Sequence, residues 1–137
     1  MKLIKDKACF VCGPENQFGL KLKVEPLDNG GAKAIFLAEE RYKGWSQYLH
    51  GGVISLIFDE LLGWTSKYLD YDVLTARLNV RYRKPVLIGE KVIFTAKPYK
   101  INRKLLEIKT VAMLENGEIV AEGYGKMVIQ NSLPKKI

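Results

Sequence analysis

Cysteine and histidine are scarce in this chain, whose 137 residues include two cysteines and one histidine. A tetrahedral zinc site takes four ligands, so Cys9, Cys12 and His50 are too few, and zinc would require a site shared between subunits. Cys9 and Cys12 form a single CxxC, which also suits a redox pair, but the motif does not stand at the strand-to-helix junction of a βαβ unit. We interpret both cysteines as small, half-buried side chains of an N-terminal segment that packs on the domain.

Long hydrophobic runs are also missing. No stretch reaches the roughly 18 consecutive apolar residues of a membrane-spanning helix, and charges interrupt the N-terminal MKLIKDKACF, which lacks a signal-peptide core. These absences predict a cytoplasmic protein without a membrane partner. The length suits one domain rather than two with separate cores. We place an N-terminal segment at 1–18, the domain at 19–130 and a polar tail at 131–137.

Acidic residues are outnumbered by basic ones, 15 against 22, and the net charge is +7. Such an excess favours an anionic partner, which can be nucleic acid, an acidic membrane surface or a phosphorylated small molecule. The cations are spread along the whole chain, and their tightest cluster is RYRK at 81–84. Because no nucleic-acid-binding motif accompanies them, we expect no nucleic-acid partner.

Hydrophobic periodicity predicts two strands, one long helix and then four strands. The helix runs from about Gly51 to Leu69, and DNGG at 28–31 predicts a hairpin turn between the first two strands. Antiparallel strands around a single helix predict an α+β fold with a sheet of five or six strands. The predicted strands cover 19–27, 32–38, 73–86, 90–102, 103–115 and 118–129.

The predicted helix is apolar on almost every side, so one sheet can cover only part of it. We expect the sheet to contact a stripe formed by Val53, Leu56, Ile57, Leu61, Trp64 and Tyr68. A second face is smaller and more polar and suits close approach of a partner helix. It comprises Gly52, Ser55, Asp59, Leu62, Gly63 and Ser66. The pattern therefore predicts a homodimer.

Two features of this helix suggest chemistry. Gly51 and Gly52 leave the first backbone N–H groups open to a ligand at the positive end of the helix dipole, where a carbonyl would be polarised. Asp59 follows Gly52 by seven residues, about 10 Å along the axis, so the two residues can cooperate only across antiparallel helices of a dimer. We predict that Asp59 is a general base or nucleophile; the alternative is a solvated notch in an exposed helix. Glu60 points about 100° away, and we interpret it as a solvent-facing or structural residue.

The motif HGGVISLIFDE at 50–60, followed by LNVRYRKPVLIGE at 78–90, resembles the hotdog-fold acyl-CoA thioesterases, and most closely their phenylacetyl-CoA thioesterase-like subfamily. The resemblance spans about 19–129, and the N-terminal CFVCGPENQFGLKL also looks like an element of this subfamily. It implies a curved antiparallel sheet around one long helix, homodimers that often associate into tetramers, and a site at the dimer interface. It implies no metal or organic cofactor. Some relatives carry Asn where this chain has Gly44.

The resemblance also implies roles for individual residues. The Gly52 backbone N–H would polarise the thioester carbonyl, and Asp59 of the other subunit would attack it or activate a water. His50 would lie beside the thioester, unless it is a core or cap residue, and Thr75 would help to position the water. Coenzyme A carries phosphates that attract cations, although a solvated sheet face explains the basic cluster equally well. The predicted substrate-binding residues are Gly51, Val53, Arg81, Arg83 and Lys84.

The leading hypothesis is therefore hydrolysis of small-molecule acyl-CoA thioesters to a free acid and CoA. One alternative is a non-catalytic acyl-CoA-binding module, but such a module needs no costly buried carboxylate at Asp59. Another is hydration of an enoyl-CoA on the same fold, but here His50 precedes Asp59, whereas those hydratase motifs have the Asp first. The preferred acyl group depends on loops from two subunits.

Overall fold

The computed structural model describes residues 3–130, so the tail predicted at 131–137 lies outside the described residues. One α-helix, α1 at Gly51–Tyr68, follows a 3-10 turn at Glu40–Tyr42 and lies against a six-stranded antiparallel sheet, which confirms the predicted α+β hotdog fold. The strands are β1 at Val24–Pro26, β2 at Ala32–Leu37, β3 at Val73–Tyr82, β4 at Lys91–Ile101, β5 at Leu105–Leu114 and β6 at Ile119–Ile129. Their order across the sheet is β1-β2-β4-β5-β6-β3. No helix within 3–130 combines the length and hydrophobicity needed to cross a membrane.

Turn chemistry sets most strand boundaries close to their predicted positions. Gly30 and Gly117 occupy hairpin turns with φ of 88° and 91°, values that glycine adopts without a steric penalty. β4, β5 and β6 begin and end within two residues of the prediction. β3 ends four residues early, because the chain turns before Pro85, which has no N–H for a ladder.

The first strand is much shorter than the predicted 19–27, since β1 covers only Val24–Pro26. The backbone N–H groups of Leu20 and Leu22 instead donate to the carbonyls of Phe10 and Val11, at 3.1 and 2.8 Å. Residues 20–22 therefore bond to the N-terminal segment rather than to the sheet. This pairing fastens the CxxC segment to the rest of the chain.

The helix is rotated relative to its predicted orientation. Its buried residues are Ile54, Ile57, Phe58, Leu61, Leu62, Thr65 and Ser66. Ile57 and Leu61 of the predicted stripe are among them, but the other four residues of that stripe are only partly buried against the core, whereas Leu62 and Ser66 of the second face are fully buried. The reason lies on β6, where Gly123 and Gly125 have no side chains and admit the side chains of Phe58 and Leu62. The Phe58 ring then packs edge-on against Phe94 of β4, with ring centroids 5.7 Å apart.

Candidate active site

Asp59 and Thr75 meet on the outside of the helix–sheet interface. Asp59 lies in the middle of α1 and Thr75 near the start of β3, and both are exposed. The Thr75 hydroxyl Oγ1 donates a hydrogen bond to Asp59 Oδ1 at 2.7 Å. The bond to a neighbouring strand holds this carboxylate in one orientation. Within one chain Asp59 is thus a fixed carboxylate on an accessible surface rather than a buried one.

A cleft of about 400 Å³ contains this pair. It is bounded by the N-terminal segment on one side, by the second half of α1 on another, and by the first residues of β3. The side chains that matter for its chemistry are Cys9, Cys12, Asp59, Glu60, Trp64 and Thr75. The volume is in the range of small-molecule sites.

The start of α1 is exposed and held by side-chain hydrogen bonds. His50 is the N-cap, and its Nδ1 accepts the Gly52 N–H at 2.8 Å. Because Nδ1 accepts, the neutral imidazole carries its proton on Nε2. His50 therefore caps the helix within one chain, which was the alternative to a place beside the thioester. The Gly52 N–H already has a hydrogen-bond acceptor within the chain. Gly44 lies beside the imidazole, since a Cβ on this glycine would stand 3.6 Å from Cδ2 of His50.

Tyr82, which the sequence did not single out, also contacts the helix N-terminus. Its hydroxyl donates to the Gly51 carbonyl at 2.7 Å and lies 2.6 Å from Ser55 Oγ, which can donate to it. The last residue of β3 is thereby tied to the first turn of α1. The signal in the sequence was an aromatic residue at the end of the strand that also supplies Thr75.

The predicted cations lie elsewhere on the surface. Arg83 pairs with Glu122 at 3.1 Å and Lys84 with Glu118 at 2.6 Å, while Arg81 is exposed. The hydrogen bond from Lys84 is the main cause that lowers the pKa of Glu118. None of the three cations lines the cleft around Asp59. Val53 is half-buried and packs on the core.

A second group of side chains in the cleft was missed at the sequence level. Cys9 Sγ lies 4.0 Å from both carboxylate oxygens of Glu60, and Trp64 Nε1 donates to Glu60 Oε2 at 2.9 Å. Burial, followed by hydrogen bonding with Glu60 and Cys9, raises the pKa of the Cys12 thiol. Glu60 and Cys9 are 51 residues apart, so no local pattern could reveal the contact.

Comparison with known proteins identifies the family and shows solved structures with a similar fold. The family model described as "Thioesterase superfamily" matches residues 46–121, and no curated protein matches this chain. The solved thioesterase superfamily protein RHA08564 has a TM-score of 0.84 at 24% identity, over 89% of this chain and 60% of its own. This chain therefore spans about 60% of the length of that relative.

Two further structures show the same fold at lower identity. A hypothetical thioesterase from Streptococcus pneumoniae TIGR4, solved with coenzyme A, has a TM-score of 0.76 at 15% identity, over 80% of this chain and 85% of its own. The PaaI protein from the phenylacetic acid degradation operon of E. coli has a TM-score of 0.77 at 15% identity, over 82% and 81%. The S. pneumoniae protein has also been solved as an Asp→Ala and as a Thr→Ala variant, at positions 16 residues apart.

Proposed function

Because this chain belongs to the thioesterase superfamily, we propose that it hydrolyses the thioester bond of small-molecule acyl-CoA substrates. The observation that carries the proposal is the hydrogen bond from Thr75 to Asp59, 2.7 Å long, in an accessible cleft. Thioester hydrolysis needs a group that takes a proton from water or attacks the carbonyl itself. A carboxylate with one oxygen already fixed by a hydroxyl has a defined orientation for either role.

The reaction forms one C–O bond and breaks one C–S bond. In the base role, Asp59 takes a proton from a water whose oxygen attacks the thioester carbonyl carbon, and the CoA sulfur leaves as thiolate and is then protonated. In the nucleophile role, Asp59 attacks the carbonyl and expels the thiolate, and water then hydrolyses the resulting anhydride. Thr75 engages Oδ1 in both cases, so Oδ2 is the oxygen that meets water or substrate.

The developing oxyanion needs a donor, and we infer that it is the Gly52 N–H of a second copy of the chain. Within one helix, Gly52 and Asp59 stand about 10 Å apart along the axis, too far to act on one carbonyl. Since His50 Nδ1 accepts the Gly52 N–H at 2.8 Å, the substrate carbonyl has to share this donor or displace the imidazole. His50 would then be adjacent to the thioester.

The sheet supports assembly into a homodimer. β3 is at one edge of the sheet, and two of its large hydrophobic side chains, Leu74 and Tyr82, are 46% and 50% exposed. An exposed edge strand with apolar side chains invites pairing with another strand. We infer that β3 pairs with its copy across a twofold axis and that such dimers can associate further into tetramers.

The substrate class rests on charge and on the relatives. The net charge of +7 suits a ligand with phosphates, and the S. pneumoniae hypothetical thioesterase was solved with coenzyme A. Asp59 and Thr75 are 16 residues apart, the same separation as the aspartate and threonine replaced in the variants of that protein. We propose that Arg81, Arg83, Lys84, Gly51 and Val53 contribute to binding of the CoA portion and the acyl group.

The test is release of free thiol from short, long and aromatic acyl-CoAs by wild type, Asp59→Asn and Asp28→Asn. The last is a matched control, because Asp28 is exposed in the β1–β2 turn, outside the cleft. We expect turnover on part of the panel by wild type and the control, and a loss of at least roughly a hundredfold in Asp59→Asn. Full turnover in Asp59→Asn would refute the role of Asp59, and acyl-CoA binding without turnover by wild type would indicate a binding module.

A further inference from the structure

The cleft contains three metal-ligating groups that the proposed hydrolysis does not use. Cys9, Cys12 and Glu60 place their ligand atoms within 4.8 Å of one another, and all three residues are half-buried. They are the one such group of His, Cys, Asp or Glu found among residues 3–130. The two thiols come from the N-terminal segment and the carboxylate from the middle of α1.

The spacing of these atoms is close to that of a coordination sphere. Zinc binds Cys sulfur at about 2.3 Å and carboxylate oxygen at about 2.0–2.2 Å in a tetrahedron, which sets neighbouring ligand atoms roughly 3.5 Å apart. Cys9 Sγ stands 4.0 Å from either oxygen of Glu60. No pair of ligand atoms in the group is more than 4.8 Å apart, so side-chain movements of about 1 Å would bring the three groups around one ion.

The backbone from Cys9 to Gly13 forms a tight turn next to the sulfur atom of Cys9. The Cys12 N–H points to Cys9 Sγ at 3.4 Å, and the Gly13 N–H donates to the Cys9 carbonyl at 2.9 Å. A Cβ on Gly13 would lie 2.3 Å from the Cys9 backbone nitrogen, so only glycine fits after the second cysteine. This turn brings the two sulfur atoms to the same side of the segment, facing Glu60.

The carboxylate is oriented by a further residue. Trp64 Nε1 donates to Glu60 Oε2 at 2.9 Å, so Oε1 is the oxygen available to a metal. Lys5 lies over the indole of Trp64, with Nζ 4.5 Å from the centre of the ring. Partners of this kind fix the direction of metal ligands.

We propose that Cys9, Cys12 and Glu60 bind one divalent cation of zinc character, which clips the N-terminal segment to α1. Two thiolates favour a soft or borderline ion over magnesium or calcium, and the carboxylate suits zinc better than Cu(I). Each thiol releases its proton to solvent on binding, and water or a group from a partner supplies the fourth ligand. The sequence offered too few Cys and His residues for zinc in one chain, but Glu60 supplies a third ligand from the fold. The inference does not depend on the proposed thioesterase activity.

The experiment uses the full chain, reduced with a phosphine and stripped of metal by a chelator. Titration with Co²⁺ reports thiolate ligands through a sulfur-to-cobalt charge-transfer band, and competition with Zn²⁺ then gives the zinc affinity. Glu60→Gln is the informative variant, because it retains the size of the side chain and an oxygen acceptor for Trp64. Asp59→Asn is the matched control, since Asp59 is adjacent in sequence and lines the same cleft but lies outside the three-residue group.

We expect one cobalt per chain with a charge-transfer band, zinc affinity at least about tenfold weaker in Glu60→Gln, and unchanged affinity in Asp59→Asn. Zinc should also raise the Tm of wild type more than that of Glu60→Gln. The absence of a charge-transfer band, or equal affinity in wild type and Glu60→Gln, would overturn the proposal. Formation of a Cys9–Cys12 disulfide in the presence of zinc and air would overturn it in favour of a redox pair. Loss of turnover in Asp59→Asn with zinc affinity retained would separate the two proposals.

Discussion

At the scale of single residues, the contact that most directly serves the proposed chemistry is the hydrogen bond between Thr75 and Asp59. Replacing Thr75 by Val keeps the shape of the side chain but removes the donor to Asp59 Oδ1. Hydrogen bonds to charged groups contribute about 1.5–3 kcal/mol, so we expect kcat to fall roughly ten- to hundredfold with little change in KM. The measurement is steady-state thiol release on the best acyl-CoA of the panel.

Thr75→Ser is the matched control, because it restores the hydroxyl and should recover most of kcat. If Thr75→Val turned over at the wild-type rate, the hydrogen bond would have no part in catalysis and Thr75 would be an ordinary strand residue. Equal losses in Thr75→Val and Thr75→Ser would instead attribute the effect to packing of the β3 strand.

His50 has a structural role that can be separated from a chemical one. Its Nδ1 caps α1 by accepting the Gly52 N–H, and losing an N-cap acceptor costs about 1 kcal/mol. We expect His50→Ala to lower the free energy of unfolding by about this amount, and His50→Asn to retain it, since Asn is among the best N-caps. Urea unfolding monitored by circular dichroism measures both variants.

Thiol release by His50→Asn then decides the second role. Under the proposed function, the stably capped Asn variant is at least about tenfold slower than wild type, because it lacks the imidazole beside the thioester. Wild-type turnover in this variant would show that His50 acts only as a helix cap and not in catalysis.

At the scale of elements, the packing of α1 on β6 depends on two glycines. A Cβ at position 125 would lie 2.4 Å from Leu62 Cδ1 and 3.2 Å from its Cγ, in a side chain that is fully buried. Overpacking of this kind costs about 1–3 kcal/mol, and we expect Gly125→Ala to destabilise the protein accordingly. Urea titration gives the change in unfolding free energy.

Gly63 provides the contrast, because a Cβ there meets no atom of the described chain within 4 Å. Gly63→Ala should be neutral or stabilising in the single chain, since alanine favours a helix interior by up to about 1 kcal/mol. A loss of stability in Gly125→Ala no greater than in Gly63→Ala would show that the helix can shift away from the sheet at little cost.

The glycines of β6 also explain why sequence predicted the helix but not its orientation. Periodicity locates α1 within one residue at its C-terminal end, because apolar residues recur along it. The rotation that buries Leu62 depends on an absent side chain at Gly125, 63 positions later in the chain. A helix that is apolar on most sides offers no internal signal to choose between such rotations.

At the scale of the whole molecule, the sequence predicts well those features that depend on a single segment, such as strands and turns. Buried residues alternate with more accessible ones along β5, the first half of β4 and the second half of β6, and the Gly-containing turns stand between predicted strands, so the sheet could be anticipated. The pairing of Leu22 with Val11 and the approach of Cys9 to Glu60 join segments that have no pattern in common. The same holds for the candidate site. Asp59 and Gly52 could be predicted from the sequence of one helix, whereas the contacts of Tyr82 and Glu60 became apparent only in the folded chain.

The proposed sharing of the site between subunits leads to a specific prediction about mixed assemblies. Gly52→Pro removes the proposed oxyanion donor, at a first-turn position of α1 where proline is tolerated, and Asp59→Asn removes the carboxylate. Each homodimer should be inactive, because both of its sites lack one group. In a heterodimer, one site combines the intact Gly52 of one chain with the intact Asp59 of the other, and the second site carries both defects. Random mixing should therefore restore about one quarter of wild-type activity per chain.

The measurement is thiol release after the two variants are co-expressed with different affinity tags and the doubly tagged heterodimer is purified. The heterodimer should have about half of the wild-type activity per chain, since one of its two sites is intact. The control is a dimer of Asp59→Asn with itself under two tags, which should remain inactive. A heterodimer of the two variants that is no more active than this control would mean that Gly52 and Asp59 do not act together across the interface, and the oxyanion donor would then have to come from the same chain as the carboxylate.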